Sequence, residues 1–264
     1  MTQNQVNAAI QAFVQNFISN SYLHRCEHSL HIALYNELFL QTLQQFVFYQ
    51  NHQTNFVHKE FPGRKMTDTP IRIGQQLVDR TSIDIVVLSN QQVNSIDDFF
   101  EGNLDVDFAF ELSLEYGIEH LCWDIFKFIT GSNRSIDSKN YIIHLYHKKR
   151  FQSYFDIEKI NGNTMCNENG YIVENAINRK VEWCYYLINL CIAYSQNPNN
   201  DDYDKIMAII KHFVCKKYKS ITTDNYDNYL PDTEFVKNIL QNMKFVITDA
   251  NPKKEKRFTS LSNI

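Results

Sequence analysis

The sequence predicts an α+β (α/β) fold in which a central mixed β-sheet is flanked by helices. Two helical patterns occupy the first 49 residues, three short apolar runs typical of strands follow, and then come a helix and a fourth strand. After residue 150, helix spacing dominates. We therefore expect an α/β core in residues 1–150 and a mostly helical region in residues 151–264. Because 44% of the residues are hydrophobic and 14% aromatic, the chain can bury such a core.

The two N-terminal helices are predicted from the spacing of their apolar residues. Residues 4–20 place apolar side chains among Gln and Asn at near-helical steps. A second helix is predicted over residues 25–49, where apolar positions recur at steps of three and four. Glu27 and His31 lie on it one turn apart. His31 could point at a metal site, although a histidine on a helix surface is the commoner case.

The strands are predicted from short β-prone runs with turn residues between them. Strand runs and one helix follow in this order: a strand at 55–61, a loop at 63–76, strands at 82–88 and 106–114, a helix at 118–130 that ends at Gly131, and a strand at 141–146. Beyond them, helices are predicted at 171–194, at 203–219 with a basic end, and from a cap at Asp232 to about residue 243. Residues 251–264 are polar and expected to be loose.

Charge is distributed unevenly along the chain. The net charge is −4, which excludes a uniformly basic nucleic-acid binder. No Lys or Arg occurs between Arg80 and Lys127, whereas ten Asp and Glu residues do. Clustered carboxylates repel one another unless they are solvated, paired or given a cation. One interpretation of the cluster is therefore a bound cation. For residues 97–107 the alternative is a solvated acidic loop.

Several classes of protein and several sites are not predicted. No apolar run approaches the ~20 residues of a membrane helix, so we expect no membrane partner. None of the six cysteines forms a CxxC pair, and reduced thiols in a cytoplasmic protein are the simplest interpretation. No glycine-rich phosphate loop is present.

Two acids occur inside apolar strand runs. Asp84 lies in the run SIDIVVL and Glu111 in FAFELSL. Such acids are costly to bury unless they are paired, protonated or bound to a metal. Carboxylates on neighbouring strands can hold Mg²⁺, or Mn²⁺, which activates a water and stabilises charge on a phosphate. The alternative is that each acid lies at a strand end or faces solvent.

The segment from Glu27 to about Tyr146 resembles the PD-(D/E)XK nuclease-like superfamily, which has an αβββαβ core. The matching pieces are the helix HSLHIALYNELF, the strands VHKEF, IDIVVL and FAFELSL, and the helix containing WDIFKFI. The resemblance implies that Asp84 and Glu111 bind the metal and that Glu27 supports it. It also implies that Glu60 is a strand acid and that Asp124 lies on the helix over the sheet.

One position departs from the motif of this superfamily. Ser113 stands where the catalytic lysine is expected, and a hydroxyl can bond a water but carries no charge. Lys127 on the following helix is the nearest basic candidate, and Lys59 and Lys65 are others. The alternative for Lys127 is a surface lysine whose stem covers the sheet.

Basic residues that could grip phosphates flank the acidic window. They are Arg64, Lys65 and Arg72 before it, and Lys148, Lys149 and Arg150 after it. Tyr116 and Trp123 could stack on a base, although such aromatics are more often part of the core.

These observations lead to three hypotheses. The first is a Mg²⁺-dependent endonuclease acting on DNA, or alternatively RNA, in restriction or mobile-element defence, alone or with a homo-oligomeric or other partner subunit. The second is a pseudo-nuclease that keeps the fold as a binding or assembly module, which Ser113 motivates. The third is an α+β protein unrelated to nucleases, whose acidic window is a surface loop.

Overall fold

The computed structural model describes most of the chain, and its ranges fall on both sides of residue 150. The described residues are 1–20, 23–42, 46–49, 52–65, 71–73, 76–78, 80–131, 139–146, 180–218, 220–249 and 259–261.

The first half of the chain contains four helices and nine strands among these residues. The helices are α1 (Gln3–Asn20), α2 (Glu27–Gln41), α3 (Ile96–Phe100) and α4 (Ile118–Thr130). The strands are β1 (Phe46–Tyr49), β2 (His52–Asn55), β3 (Val57–Lys65), β4 (Ile71–Ile73), β5 (Gln76–Val78), β6 (Arg80–Leu88), β7 (Gln92–Val93), β8 (Val106–Leu114) and β9 (Lys139–Tyr146).

The second half adds three described helices, a short 3₁₀ turn and two strands. They are α5 (Lys180–Gln196), α6 (Asn200–Lys217), the 3₁₀ turn Tyr226–Tyr229, α7 (Thr233–Gln241), β10 (Met243–Asp249) and β11 (Thr259–Leu261).

A six-stranded mixed sheet forms the centre of the molecule, in the order β11-β10-β9-β8-β6-β3. The pairs β3/β6, β6/β8 and β10/β11 are antiparallel, and β8/β9 and β9/β10 are parallel. Helices flank this sheet, so the predicted α+β class is confirmed. The series α2, β3, β6, β8, α4, β9 has the predicted order of one helix, three strands, one helix and one strand.

The two faces of β8 explain how the sheet holds its helices. Phe110 stacks on Tyr141 of β9, whose hydroxyl bonds Gln3 at the start of α1. The alternate residues Glu111 and Ser113 instead contact side chains of α4. Because successive side chains of a strand point to opposite faces, helices cover both sides of β8.

Two N-terminal predictions are wrong. The helix predicted over 25–49 ends at Gln41, and Phe46–Tyr49 forms β1, because four consecutive aromatic and β-branched residues favour a strand over a continued helix. The loop predicted over 63–76 is also wrong where it is described. β3 continues to Lys65, and β4 pairs with β5 as a hairpin.

The predictions for residues after 150 are confirmed for helices and incomplete for strands. Asp232 caps α7, accepting hydrogen bonds from the backbone N–H groups of Glu234 and Phe235. The helix ends earlier than predicted, because β10 begins at Met243 and pairs with β9. Residues 259–261, expected in a loose tail, pair with β10 as β11. The part of the 171–194 prediction before residue 180 lies outside the described residues.

The described C-terminal helices pack on α4. The tilted rings of Trp123 and Tyr218 pack at 4.1 Å, and those of Phe126 and Tyr226 at 5.3 Å, between ring centroids. Together with β10, these contacts make one sheet and one hydrophobic core from residues on both sides of residue 150. None of the described helices is long and apolar enough to cross a membrane.

Candidate functional site

Asp84 and Glu111 lie in the interior of the two central antiparallel strands. The register pairs Ile85 with Phe110 and Val86 with Ala109, so its continuation by one residue sets Asp84 opposite Glu111. Asp84 Oδ2 accepts a hydrogen bond of 2.7 Å from the backbone N–H of Leu112. Asp84 is 9% exposed and Glu111 is 1% exposed, which contradicts the alternative that they face solvent.

Burial disfavours the ionised form of both acids. It raises the pKa of Asp84 above its usual value, although Lys127 and His31 oppose the change. Burial, together with the neighbouring Asp84, raises the pKa of Glu111. Within the described residues, Glu111 Oε1 is buried without a hydrogen-bond partner. A buried, unsatisfied carboxylate oxygen beside a second carboxylate suits a hard divalent cation such as Mg²⁺ or Mn²⁺.

Lys127 on α4 brings an ammonium group to this pair. It is only 8% exposed, so the alternative of a surface lysine is wrong. Its Nζ donates a hydrogen bond to Glu111 Oε2 and to the carbonyl of Ser82 at 3.4 Å. Burial alone would lower the pKa of Lys127, but Glu111 and Asp124 outweigh it and raise that pKa. The ammonium therefore stays charged at neutral pH.

Ser113, at the position of the motif lysine, is fully buried and bonded to the protein. Its Oγ donates to Asp124 Oδ2 at 3.3 Å and lies 2.9 Å from His144 Nε2. Asp124 also lies 3.7 Å from Lys127 Nζ. Burial would raise the pKa of Asp124, yet the bond to His144 and the charge of Lys127 lower it. Asp124 is thus an ionised carboxylate that links Ser113 and His144 to Lys127.

His31 on α2 lies among three carboxylates. Its Nε2 is 3.4 Å from Asp84 Oδ2 and 3.7 Å from Glu27 Oε1, and its Nδ1 is 3.6 Å from Glu60 Oε1. Both ring nitrogens are buried, and among the described residues neither makes a hydrogen bond. Burial alone would lower the pKa of His31, but the three acids raise it to about 9.

Two groups around His31 have the spacing of a metal site. One ligand atom each from Glu27, His31 and Asp84 lie within 4.8 Å of one another, and the same holds for His28, His31 and Glu60. The first group includes Asp84, which is also one of the two predicted metal ligands, Asp84 and Glu111. It therefore connects α2 to that pair. Imidazole and carboxylate together suit Mn²⁺ and later first-row metals better than Mg²⁺.

Glu60 adopts a backbone conformation unusual for its residue type. Its φ is 50°, in the left-handed region, although it lies within β3. This conformation costs about 1–3 kcal/mol unless the surroundings hold it. Glu60 accepts a hydrogen bond of 3.0 Å from Ser82 Oγ, and its contact with His31 lowers its pKa to about 2.

Tyr116 lies in the turn between β8 and α4. The neighbouring carboxylate of Glu27 raises the pKa of Tyr116, and the Tyr116 ring stacks on His120 at 4.1 Å between centroids. His120 Nε2 lies 3.6 Å from Asp124 Oδ1.

The predicted phosphate-binding residues are described only in part. Arg64, Lys65 and Arg72 lie in β3 and β4 rather than in a loop, and the description covers their backbone alone. Lys148, Lys149 and Arg150 lie outside the described residues. Lys59, the other lysine candidate in β3, is half-buried.

Sequence reasoning undervalued three residues of this cluster. Asp124 precedes Lys127 by three residues on an apolar helix, and His144 interrupts the apolar strand YIIHLY, so both carry the same signal as Asp84. His31 follows Glu27 by four residues, but only the three-dimensional contacts distinguish it from a surface histidine.

No family model, curated protein or solved structure matches the chain.

Proposed function

We propose that this protein is a divalent-metal-dependent nuclease that hydrolyses phosphodiester bonds of DNA. The observation that carries the proposal is the burial of Asp84, Glu111 and Lys127 together on β6, β8 and α4. This combination has two carboxylates for a cation and a fixed positive charge for a phosphate. The resemblance to the PD-(D/E)XK superfamily supports it by assigning the same two acids.

Each side chain would have a distinct part in the reaction. Asp84 and Glu111 would hold the cation, with Glu27 and His31 on the side of α2. A bound divalent cation supplies Lewis-acid activation of a water and stabilises charge on a phosphate oxygen. Lys127, whose pKa is raised, would stay protonated and orient the water or stabilise the phosphate instead of accepting a proton. Asp124, which contacts Ser113 and His144, would hold the Lys127 ammonium in place.

The experiment is a cleavage assay on plasmid and single-stranded DNA with Mg²⁺ or Mn²⁺. We expect Glu111→Gln and Lys127→Met to lower the rate about 10²-fold or more, because each removes a charge at the reacting centre. Asp98→Asn, in the same acidic window but half-buried on α3, outside the Asp84–Glu111 cluster, is the matched control and should cut like the wild type. Equal cutting by Glu111→Gln and the wild type would refute the assignment.

A second candidate function is a pseudo-nuclease that binds a partner without catalysis. The observation that favours it is the internal pairing of the cluster: the Lys127 ammonium bonds Glu111, and the Ser113 hydroxyl bonds Asp124 and His144. Calorimetric titration with Mn²⁺ and Mg²⁺ separates the two. An absence of binding at millimolar metal favours this candidate, whereas binding that Asp84→Asn abolishes favours the nuclease. Defence, cytoplasmic location, RNA as the substrate and a partner subunit stay predictions from the sequence.

A further inference from the structure

The turn that carries Tyr116 is fixed by several independent contacts. Glu115 has a φ of 63°, and its N–H donates to the carbonyl of Leu145 at 3.0 Å. The hydroxyl of Tyr146 donates to the carbonyl of Tyr116 at 2.9 Å. Because these hydrogen bonds tie the backbone of Glu115 and Tyr116 to β9, the position of the Tyr116 ring is fixed.

The Tyr116 ring has one face covered by His120 and one accessible face. It is nearly parallel to the imidazole of His120, at an interplanar angle of 11°, so one face is covered. Tyr116 nevertheless remains 42% exposed, whereas Trp123 on α4 is only 7% exposed. Trp123 is therefore a core residue, and the accessible surface of Tyr116 must lie on the face and edges away from His120.

The Tyr116 ring borders the candidate metal site. His120, on which the Tyr116 ring stacks, lies 3.6 Å from Asp124 Oδ1 of the buried cluster. The neighbouring Glu27 carboxylate raises the pKa of Tyr116 and lies 3.7 Å from His31. The turn also joins β8, which carries Glu111, to α4, which carries Lys127. A flat group stacked on the open face would therefore lie next to a phosphate held at that site.

We propose that the Tyr116–His120 pair is a stacking platform for one unpaired nucleobase beside the scissile phosphate. The inference deepens the proposed nuclease function and rests on it for the position of the phosphate. Aromatic faces accept any base by stacking, without reading its sequence. A base inside a duplex is already stacked and paired, so the platform selects DNA that is single-stranded at the cut or has a flipped base.

The test measures binding separately from cutting. Fluorescently labelled oligo(dT) is titrated into the full chain with Ca²⁺ in place of Mg²⁺, and a strand of the same length with abasic residues serves as the probe without bases. We expect the wild type to bind oligo(dT) more tightly than the abasic strand. Tyr116→Ala should weaken oligo(dT) binding about 5- to 100-fold and leave abasic binding unchanged, because stacking on one base is lost.

Three controls make the outcome specific. Tyr116→Phe removes the hydroxyl but keeps the ring, so it should bind oligo(dT) like the wild type. Phe100→Ala removes a 70% exposed aromatic on α3 and should have no effect. A duplex of the same sequence should bind more weakly than the single strand.

The results separate this inference from the nuclease proposal. If Tyr116→Ala binds oligo(dT) like the wild type, or loses oligo(dT) and abasic strands equally, the platform is refuted even if the wild type cuts DNA. If the wild type discriminates between the two strands through Tyr116 but cuts no DNA with Mg²⁺ or Mn²⁺, the platform stands and the nuclease function fails.

Discussion

Lys127 has to keep a positive charge inside the protein core, and the surrounding acids explain how it does so. Glu111, Asp124 and Asp84 all favour the ammonium form, and burial is the one strong effect against it. The same burial, with Asp84 beside it, raises the pKa of Glu111, while Lys127 opposes that change. The arrangement resembles a buried ion pair, which is costly to assemble and costlier to break.

Lys127→Met should destabilise the metal-free protein by about 3 kcal/mol, because it leaves buried carboxylates without their counter-charge. The double variant Lys127→Met with Glu111→Leu should recover part of this loss, since Asp124 keeps its hydrogen bond from Ser113 and its contact with His144. Urea denaturation provides the free energies of unfolding. Lys237→Met, which removes a surface ion pair with Glu234, is the control and should cost less than about 1 kcal/mol. A cost this small for Lys127→Met would contradict the interpretation.

Stability of the metal-free protein should fall as the pH rises from 6.5 to 9. His31 has a folded pKa of about 9 against an ordinary 6.5, so its stabilising charge is fully present below pH 6.5 and is lost as the pH passes 9. The expected loss is on the order of 1–3 kcal/mol. Thermal or urea unfolding with a chelator at several pH values measures it. His31→Gln should lose this slope, and an unchanged slope would show that other groups cause it.

Single residues were predictable where burial and charge conflict in the sequence itself. Asp84 and Glu111 stand out because each interrupts an apolar strand. Whether Lys127 lies in the core or on the surface depends on the rotation of α4 relative to β8, which residue spacing within one helix does not define. Glu60, which lies 3.6 Å from His31, has a left-handed backbone conformation that no local sequence signal predicts.

At the scale of elements, prediction succeeded for segments with one dominant pattern. β8 and α4 have the bounds expected from alternation and helix spacing. It failed where a strand begins within a few residues of the end of a helix. Both α2 before β1 and α7 before β10 continue with apolar residues, so periodicity alone moves the end of each helix past its true position.

The N-terminus of α7 was predicted correctly from Asp232, and the contribution of this cap to stability can be measured. Asp232→Ala should lower the free energy of unfolding by about 1 kcal/mol, because two backbone N–H groups lose their acceptor. Asp232→Asn keeps a side-chain oxygen and should cost clearly less. Equal losses for the two variants, measured by urea denaturation, would exclude the capping oxygen as the cause.

At the scale of the whole molecule, residues far apart in sequence share one core. Trp123 on α4 packs against Tyr218, and Trp183 on α5 packs against Phe213 at 5.5 Å. The division near residue 150, chosen from a change in sequence texture, did not anticipate β10, because strand pairing over this distance leaves no local pattern.

The two tryptophans should therefore report a single unfolding transition. Trp123→Phe leaves Trp183 as the probe, and Trp183→Phe leaves Trp123. In each variant we expect the fluorescence midpoint in urea to coincide with the midpoint from far-UV circular dichroism, because α4, α5 and α6 pack together. Separate midpoints for the two probes would indicate two independently unfolding units.

The parallel pairing of β9 with β10 has a consequence for biosynthesis. Met243 pairs with Asn140, so 103 residues (243 − 140) must be translated after Asn140 before its partner leaves the ribosome. At about 5–20 residues per second, the nascent β9 waits roughly 5–20 s with an open edge. Its residues 140–146 are all buried in the finished protein. An unpaired strand edge is a template for association with other chains, so slowing translation between the two strands should increase aggregation.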